Sequence, residues 1–420
     1  MKLKYNILKH RSNGRTVYSA RTDIIHNELQ KINKEIINKY SLKIPDRNAI
    51  IRTIIQFLSQ GEIYLNRKDL SFTPLEFKVI KIDIKNFFPS INKHILYSKI
   101  IKSSILNDSS IETIKSFIFS NDYKGVPLGL AFSNSLAELY LEEFDSIVQL
   151  EWKPLLYVRY VDDILLIINE SIDENDVIRS IKKVLRDYHL EVNSDKSNPK
   201  KSSRDDFRFT YLGYEFSKYQ IKFINSEEKE QTKNNLVIDI SENKFKAKLL
   251  NKLIRYFKRF KNDNDKPEAF WILYYRLKNL IHGVSSKGEN NQVVKFGLSY
   301  SYGFINSEDK LKNFLRMYHY FIRSYKENGY LSSRQEYLLI SIVSVDNRVI
   351  TSDSPRDDIL SLLNNRYHYE KLSVKTLEKI CLRVGVSYTS KVYTNKYLEF
   401  NKINLQKKIM KKLSLRFGED

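Results

Sequence analysis

The sequence predicts an α+β fold, an antiparallel sheet laid on helices, followed by a mostly helical half. Three observations predict it. Across residues 76–225, short β-rich runs alternate with amphipathic stretches in the order strand, helix, hairpin, helix, strand, the pattern of a sheet packed on helices. Beyond residue 226 the apolar spacing is helical and the chain is basic. Hydrophobic residues make up 42% of the 420, enough for a sizeable core, so wholesale disorder is excluded. The length suggests roughly two to four domains.

The elements follow in chain order. Asn13-Gly14 between two basic runs predicts a hairpin, because both residue types tolerate positive φ. Ile24, Ile25, Leu29, Ile32, Ile36 and Ile37 fall near one helical face, and a second helix is expected over Asn48–Ser59 with Gly61 as its stop. Phe77–Asp83 reads as a strand. Ser133–Leu150 reads as a helix with Leu136, Leu139, Tyr140, Phe144 and Ile147 inward. Leu155–Ile168 reads as two strands around a turn at Val161-Asp162-Asp163, Asn175–Tyr188 as a helix and Phe207–Phe216 as a strand. Lys244–Lys261 is a strongly basic helix, Asp263–Lys266 and Ser285–Asn291 are expected loops, and Ser333 with Glu336 suggests a capping box.

Lysine and arginine total 71 against 50 acids, a net charge of +21, which points to a polyanionic partner. The excess is uneven: +8 over residues 1–75, −1 over 76–225 and +14 over 226–420, so a uniform compositional bias does not explain it. No apolar run approaches the ~20 residues of a spanning helix, so no membrane is expected. Met1–Tyr5 lacks the apolar core of a signal peptide. A single cysteine, Cys381, forbids an internal disulfide and a cysteine-based zinc cluster, in keeping with a reducing, intracellular, cytoplasmic setting. There is no Gly-x-x-x-x-Gly-Lys loop, and the seven histidines show no metal-binding spacing.

The sharpest feature is Tyr160-Val161-Asp162-Asp163 between apolar strands. Two adjacent carboxylates there are costly unless something neutralises them; alone, a polar hairpin tip would also account for them. Asp83 closes the strand Phe77–Asp83, and if that strand pairs with the hairpin, Asp83 sits beside Asp162. Clustered carboxylates bind hard divalent cations through oxygen, leaving positions for phosphate oxygens. Two such ions about 4 Å apart serve an attacking and a leaving oxygen, as nucleotidyl transfer requires.

On these residues the chain resembles the reverse transcriptases. Asp83–Ile91 is similar to their first catalytic palm motif and Tyr160–Asp163 to their second. Gly125-Val126-Pro127-Leu128-Gly129 is similar to the segment under the incoming base pair, Leu190–Lys196 to the motif after the catalytic hairpin, Tyr211-Leu212-Gly213-Tyr214 to the primer grip, and Arg47-Asn48-Ala49 to the segment before the palm. The resemblance covers roughly residues 9–216 and implies a right-hand polymerase: fingers over 1–75, palm over 76–225, a basic helical thumb over 226–330, and a helical, RNA-binding C-terminal extension over 331–420. It implies Asp83 and Asp162 as ligands of two Mg²⁺ ions (Mn²⁺ as the alternative), with Asp163 supporting them.

The remaining roles come from the same resemblance. Lys196 would protonate the leaving pyrophosphate, or is a surface lysine. Lys9, Arg11 and Arg15 would clamp the triphosphate, or form a solvated basic hairpin. Phe88 would act as a steric gate against a ribose 2′-hydroxyl, with Phe87 as the core aromatic; Phe88 as a plain core ring is the alternative. Gly129 would permit a close backbone approach, or is an ordinary turn glycine. Tyr160, Tyr211, Leu212 and Gly213, with Lys252, Arg255, Lys258 and Arg259 of the basic helix, would hold primer and template.

One departure stands out: Leu128 occupies the position where most reverse transcriptases have glutamine. Gly125-x-Pro127-Leu128-Gly129, then Ser133-x-x-Leu136-Ala137, resembles bacterial abortive-infection and other defence-associated reverse transcriptases. This implies RNA-directed DNA synthesis from dNTPs, making cDNA on a partner noncoding RNA in antiphage defence. The alternatives are non-templated or protein-primed DNA synthesis, a retron-like enzyme, and an inactive RNA-binding scaffold.

Overall fold

The computed structural model describes residues 6–12, 14–59, 61, 70–193, 199–201, 207–224, 230–287, 293–388 and 395–414. They fall into two compact units, one drawn from residues 1–63 and 71–212, the other from 64–70 and 213–416.

The first unit opens with a hairpin, β1 (Ile7–Ser12) and β2 (Arg15–Ala20), whose register closes at Ser12↔Arg15 with Gly14 at φ +74°. Asn13 lies outside the described residues. Two capped helices follow. In α1 (Asp23–Lys39) the Thr22 hydroxyl accepts from the Ile25 N–H, and in α2 (Arg47–Leu58) the Asp46 carboxylate accepts from the Ala49 N–H, each satisfying a donor the helix leaves orphaned. Leu29, Ile32 and Ile36 of α1 are buried as its spacing predicts, whereas Ile24 is exposed at the first turn.

β3 (Phe77–Asp83) follows, then α3 (Lys93–Ser103), α4 (Asp108–Ile118), α5 (Ser133–Trp152), β4 (Leu156–Tyr160), β5 (Asp163–Asn169), α6 (Glu174–Asp187), β6 (Pro199–Lys201) and β7 (Arg208–Tyr211). The sheet runs β4-β5-β3-β6, antiparallel throughout, so the expected pairing of β3 with the hairpin holds. Ile164 to Ile168 of the inner strand β5 are all fully buried. Each such side chain contributes about 1.5–3 kcal/mol, which fixes this strand as the mount for whatever sits at its end. The core beneath it is built from α1, α3, α4, α5, α6 and the inner strands. In α5 it is Val148, not Ile147, that turns inward after Phe144: the core follows the i+4 step, and Ile147 is exposed.

The predicted strand over 207–216 is broken. Leu212 and Gly213 both take positive φ, which ends β7 and starts β8 (Tyr214–Ile224). The second unit begins there. β8 pairs with β9 (Glu230–Ile240), antiparallel. The basic segment passes through a π-helical turn at Lys246–Leu250 into α7 (Asn251–Asn262), and α8 (Ala269–Ile281) follows. Part of the expected loop at 285–291 is strand: β10 (Gly283–Lys287) pairs antiparallel with β11 (Val293–Phe296) and parallel with β12 (Arg366–His368). Between them lie α9 (Asp309–Glu327) and α10 (Ser333–Ile340); the capping box is one residue earlier than predicted, between Ser332 and Gln335, because Ser332 carries the extended φ/ψ of a cap. α11 (Val374–Arg383) and α12 (Asn395–Leu413) complete a core holding buried Cys381. Among the described residues, no helix is long and apolar enough to cross a membrane.

Candidate active site

β4 and β5 are joined by a two-residue turn, Val161-Asp162, closed by the pair Tyr160↔Asp163. Val161 takes φ +59°. A β-branched residue there is strained, and such conformations persist only where the surroundings over-determine them. Two contacts do so. Arg159 Nη1 donates to the Val161 carbonyl at 3.1 Å. The Tyr211 hydroxyl donates to the Asp163 carbonyl at 2.8 Å. Tyr211 is 1% exposed, and burial, reinforced by Asp163, raises its pKa, so it stays a donor.

Asp83 is brought to this turn by backbone pairing. Asp83 lies opposite Asp163 in the β3–β5 register, and the Ile84 N–H donates to the Asp162 carbonyl at 3.1 Å. On its other side, residues 191–193 run alongside: Lys85 N–H to Glu191 O at 2.8 Å, Asn193 N–H to Asp83 O at 2.7 Å. The Asn193 amide then donates to Asp83 Oδ2 at 2.9 Å. Asp83 is buried, and Asp162 and Asp163 are half-buried.

Sequence reasoning missed what lies beneath. Arg159 Nη2 reaches Glu138 Oε2 at 2.6 Å and Asp145 Oδ2 at 2.7 Å, its Nε reaches Asp145 Oδ1 at 2.7 Å, and the Tyr157 hydroxyl reaches the same oxygen at 2.6 Å. Burial works against the Arg159 charge, but the hydrogen bonds and charge of Asp145 and Glu138 outweigh it and raise its pKa. This buried network ties α5 to the strand that ends in the turn. A signal was present: Glu138 and Asp145, seven apart, interrupt the apolar face of α5.

The other predicted residues divide. The Phe88 carbonyl accepts from the Val126 N–H at 2.9 Å; a Cβ on Gly125 would meet that carbonyl at 2.1 Å, so only glycine lets the two segments touch. Phe87 and Phe88 are both buried, at 2% and 7% exposure. The Leu128 carbonyl accepts from the Tyr18 N–H of β2 at 2.8 Å. The close approach at Gly129 (φ +101°) is to this hairpin: a Cβ would stand 2.6 Å from the Tyr18 carbonyl oxygen. Lys9, Arg11 and Arg15 are exposed on the hairpin, but the register gives Lys9 and Arg11 one face and Arg15 the other. The Tyr211 ring is core, and its hydroxyl supports the aspartate turn. Arg47 donates from Nη2 and Nε to the Leu212 carbonyl at 2.7 and 3.2 Å. Gly213, Lys252, Arg255, Lys258 and Arg259 belong to the second unit; the four cations lie on α7, whose opposite face buries Leu253, Phe257 and Phe260. Lys196 lies outside the described residues.

Among the described residues, no group of three His, Cys, Asp or Glu side chains gathers to cage a metal. Asp83 and the Asp162-Asp163 turn instead offer oxygen-only donors at neighbouring strand ends, one oxygen of Asp83 already oriented by Asn193. That fits a hard cation such as Mg²⁺, which is held by one or two carboxylates plus substrate phosphates.

Residues 7–216 match the family model described as reverse transcriptase (RNA-dependent DNA polymerase). No curated protein matches the chain. Among solved structures it is similar to Candida albicans telomerase in complex with a TWJ fragment of telomeric RNA (15% identity, 90% of this chain and 56% of that one, TM-score 0.37). It is similar also to Candida tropicalis telomerase with the same kind of fragment (13%, 98% and 66%, TM-score 0.37), and to apo Candida tropicalis telomerase truncated from its C-terminal domain (17%, 46% and 43%, TM-score 0.34). The chain spans less than two thirds of each.

Proposed function

Because the chain belongs to the reverse transcriptase family, with its right-hand polymerase fold, we propose that it is an RNA-directed DNA polymerase, making cDNA from dNTPs. The observation that carries this is the backbone pairing that sets Asp83 beside Asp162 and Asp163 at one end of the two central strands. Divalent cations held there, two Mg²⁺ or Mn²⁺, would supply the positive charge that brings a primer 3′-oxygen and a triphosphate together. The chain does the rest. Asp83 and Asp162 are the ligands and Asp163 supports them. Asn193 orients Asp83. Arg159 and Tyr211 hold the turn rigid, so the carboxylates need not reorganise during the reaction. Lys9 and Arg11, with Arg15 from the other face of the hairpin, bind the triphosphate, and Lys196 holds the proton for departing pyrophosphate. Phe88 excludes the ribose 2′-hydroxyl. Fingers, palm, thumb and extension follow the boundaries predicted above, and the basic residues of α7 grip nucleic-acid phosphates.

The biological setting we propose is antiphage defence in a bacterial cytoplasm, with a structured noncoding RNA as partner and template. The Gly125-x-Pro127-Leu128-Gly129 pattern and the concentration of charge outside residues 76–225 support it. A second reading, synthesis without a template or from a protein primer, is favoured by Leu128, which brings no side-chain amide to the site.

The test is purified protein with dNTPs and its copurifying RNA. RNase treatment beforehand should abolish synthesis, product should enter a gel without protease, and Asp162→Ala should abolish synthesis while RNA binding survives. RNase-resistant synthesis overturns the templated reading, and normal synthesis by Asp162→Ala overturns the site. RNA affinity should fall steeply with salt.

A further inference from the structure

Within the second unit a half-open cavity of about 440 Å³ lies between α8, α10, α11 and β12. That volume falls in the range of small-ligand sites, about 300–1,000 Å³. Its wall is built by periodicity. Trp271, Tyr274, Tyr275 and Lys278 of α8 stand at i, i+3, i+4 and i+7, on one face. Facing them on α11, Lys379 and Arg383 project from the same side. Arg334 of α10 and Tyr367 of β12 complete it.

Two features point to a ligand. No acidic residue lines the cavity, which holds four cations, Lys278, Arg334, Lys379 and Arg383, and among the described residues none of them pairs with a carboxylate. Burial alone lowers the Lys278 pKa to about 8, the state of an ammonium that lacks an anion. Aromatic rings also hold two of these cations in place. The Arg383 guanidinium lies 3.9 Å over the Trp271 ring, and its Nη1 reaches the Tyr275 hydroxyl at 3.4 Å. Lys278 Nζ lies 3.8 Å over the Tyr367 ring. A cavity-lining guanidinium beside an indole is the kind of group on which a further planar ring stacks.

We propose that this cavity binds a nucleoside phosphate, its base stacked on Arg383 over Trp271 and its phosphate between Lys278, Arg334 and Lys379. The ligand is either a free nucleotide or the unpaired terminal residue of a single strand, since both present a phosphate beside a planar base. All of its lining residues belong to the second unit, and the proposal does not depend on the polymerase reading.

The chain has two tryptophans, so Trp152→Phe leaves Trp271 as the only indole and as a local reporter. The full chain carrying that change is titrated, in EDTA to silence cation-dependent binding elsewhere, with AMP, with a 5′-phosphorylated single-stranded DNA oligonucleotide, with adenosine and with inorganic phosphate. AMP or the oligonucleotide should quench Trp271 saturably, and adenosine should bind at least about tenfold more weakly, because it lacks the phosphate. Lys278→Gln and Arg383→Gln, checked for folding by circular dichroism, should each raise Kd by about tenfold or more. Saturation by AMP identifies the free nucleotide, and saturation by the oligonucleotide alone identifies a strand end. No saturable quenching by either, or binding unchanged in both variants, overturns the proposal. In the unmodified protein, photolabelling with 8-azido-AMP should mark peptides within 271–278 or 367–383; label confined to residues 6–212 overturns it even if the variants do not fold.

Discussion

Asn193 holds Asp83 twice: its N–H donates to the Asp83 carbonyl at 2.7 Å and its side-chain amide to Asp83 Oδ2 at 2.9 Å. The carboxylate is buried, so the amide removes one rotational freedom and fixes the direction in which the carboxylate presents its oxygens. Partners of this kind change metal affinity by about 10–100-fold when lost. Asn193→Ala should therefore raise the Mg²⁺ concentration needed for half-maximal DNA synthesis by about that factor. A Mg²⁺ titration of initial rates checks this; unchanged cation dependence in Asn193→Ala would show the contact to be only structural.

Arg159 should dominate the stability of the first unit among its ion pairs. Its side chain and that of Glu138 are 5% and 8% exposed. Removing one partner of a buried pair strands the other charge, which costs about 3–5 kcal/mol. Arg159→Met should show that loss in urea denaturation, and Arg159→Met with Glu138→Gln should recover part of it. Lys99, which bridges Glu142 on the surface at 3.1 Å, is the control: Lys99→Met should cost about 0–1 kcal/mol. Equal losses at the two sites would refute the distinction.

The aspartate turn was readable in the sequence because its determinants are local. The apolar runs on either side of Asp162-Asp163 predict strands, and Asp83 closes a third. The Arg159 network was not, because its partners lie 21 and 14 residues away, and contact depends on how α5 packs on the sheet. The same limit applies to aromatic rings. Phe87 and Phe88 are adjacent and both buried, so adjacency alone does not divide core from site. Across Phe207–Phe216 the strand-forming aromatics predict one strand and mask the turn that positive φ at Leu212 and Gly213 makes.

Gly129 should be intolerant of any side chain. Its φ of +101° is outside the region that L-residues visit, and a Cβ would collide with the backbone of Tyr18. Gly129→Ala should therefore push the β1–β2 hairpin off the 127–129 segment, raising the KM for dNTPs and exposing the hairpin to limited proteolysis. Gly14, at φ +74° with nothing within 4 Å, is the contrast: Gly14→Ala should cost only about 1–2 kcal/mol of local strain and leave KM unchanged. If both variants behave alike, the hairpin does not need its seat on Leu128.

The second unit carries a carboxyl whose titration should be visible in stability. Asp239 is buried; its Oδ1 accepts the Ile240 N–H at 2.7 Å and its Oδ2 lies 3.5 Å from Lys310, which Glu215 shares at 3.8 Å. Burial outweighs the attraction of Lys310 and pushes its pKa from 3.8 up to about 6. Between those values the folded chain holds a proton that the unfolded chain has released. The contribution of Asp239 is therefore most favourable below about pH 4, declines as pH rises through 6, and is flat above. A shift of that size corresponds to at most about 3 kcal/mol. Asp239→Asn keeps the shape and cannot ionise, so its stability relative to the parent should improve as pH rises from about 4 to 8. Urea denaturation of both proteins across that range cancels every other titrating group. A variant that loses ground with rising pH would mean that the Lys310 pair, not burial, governs Asp239.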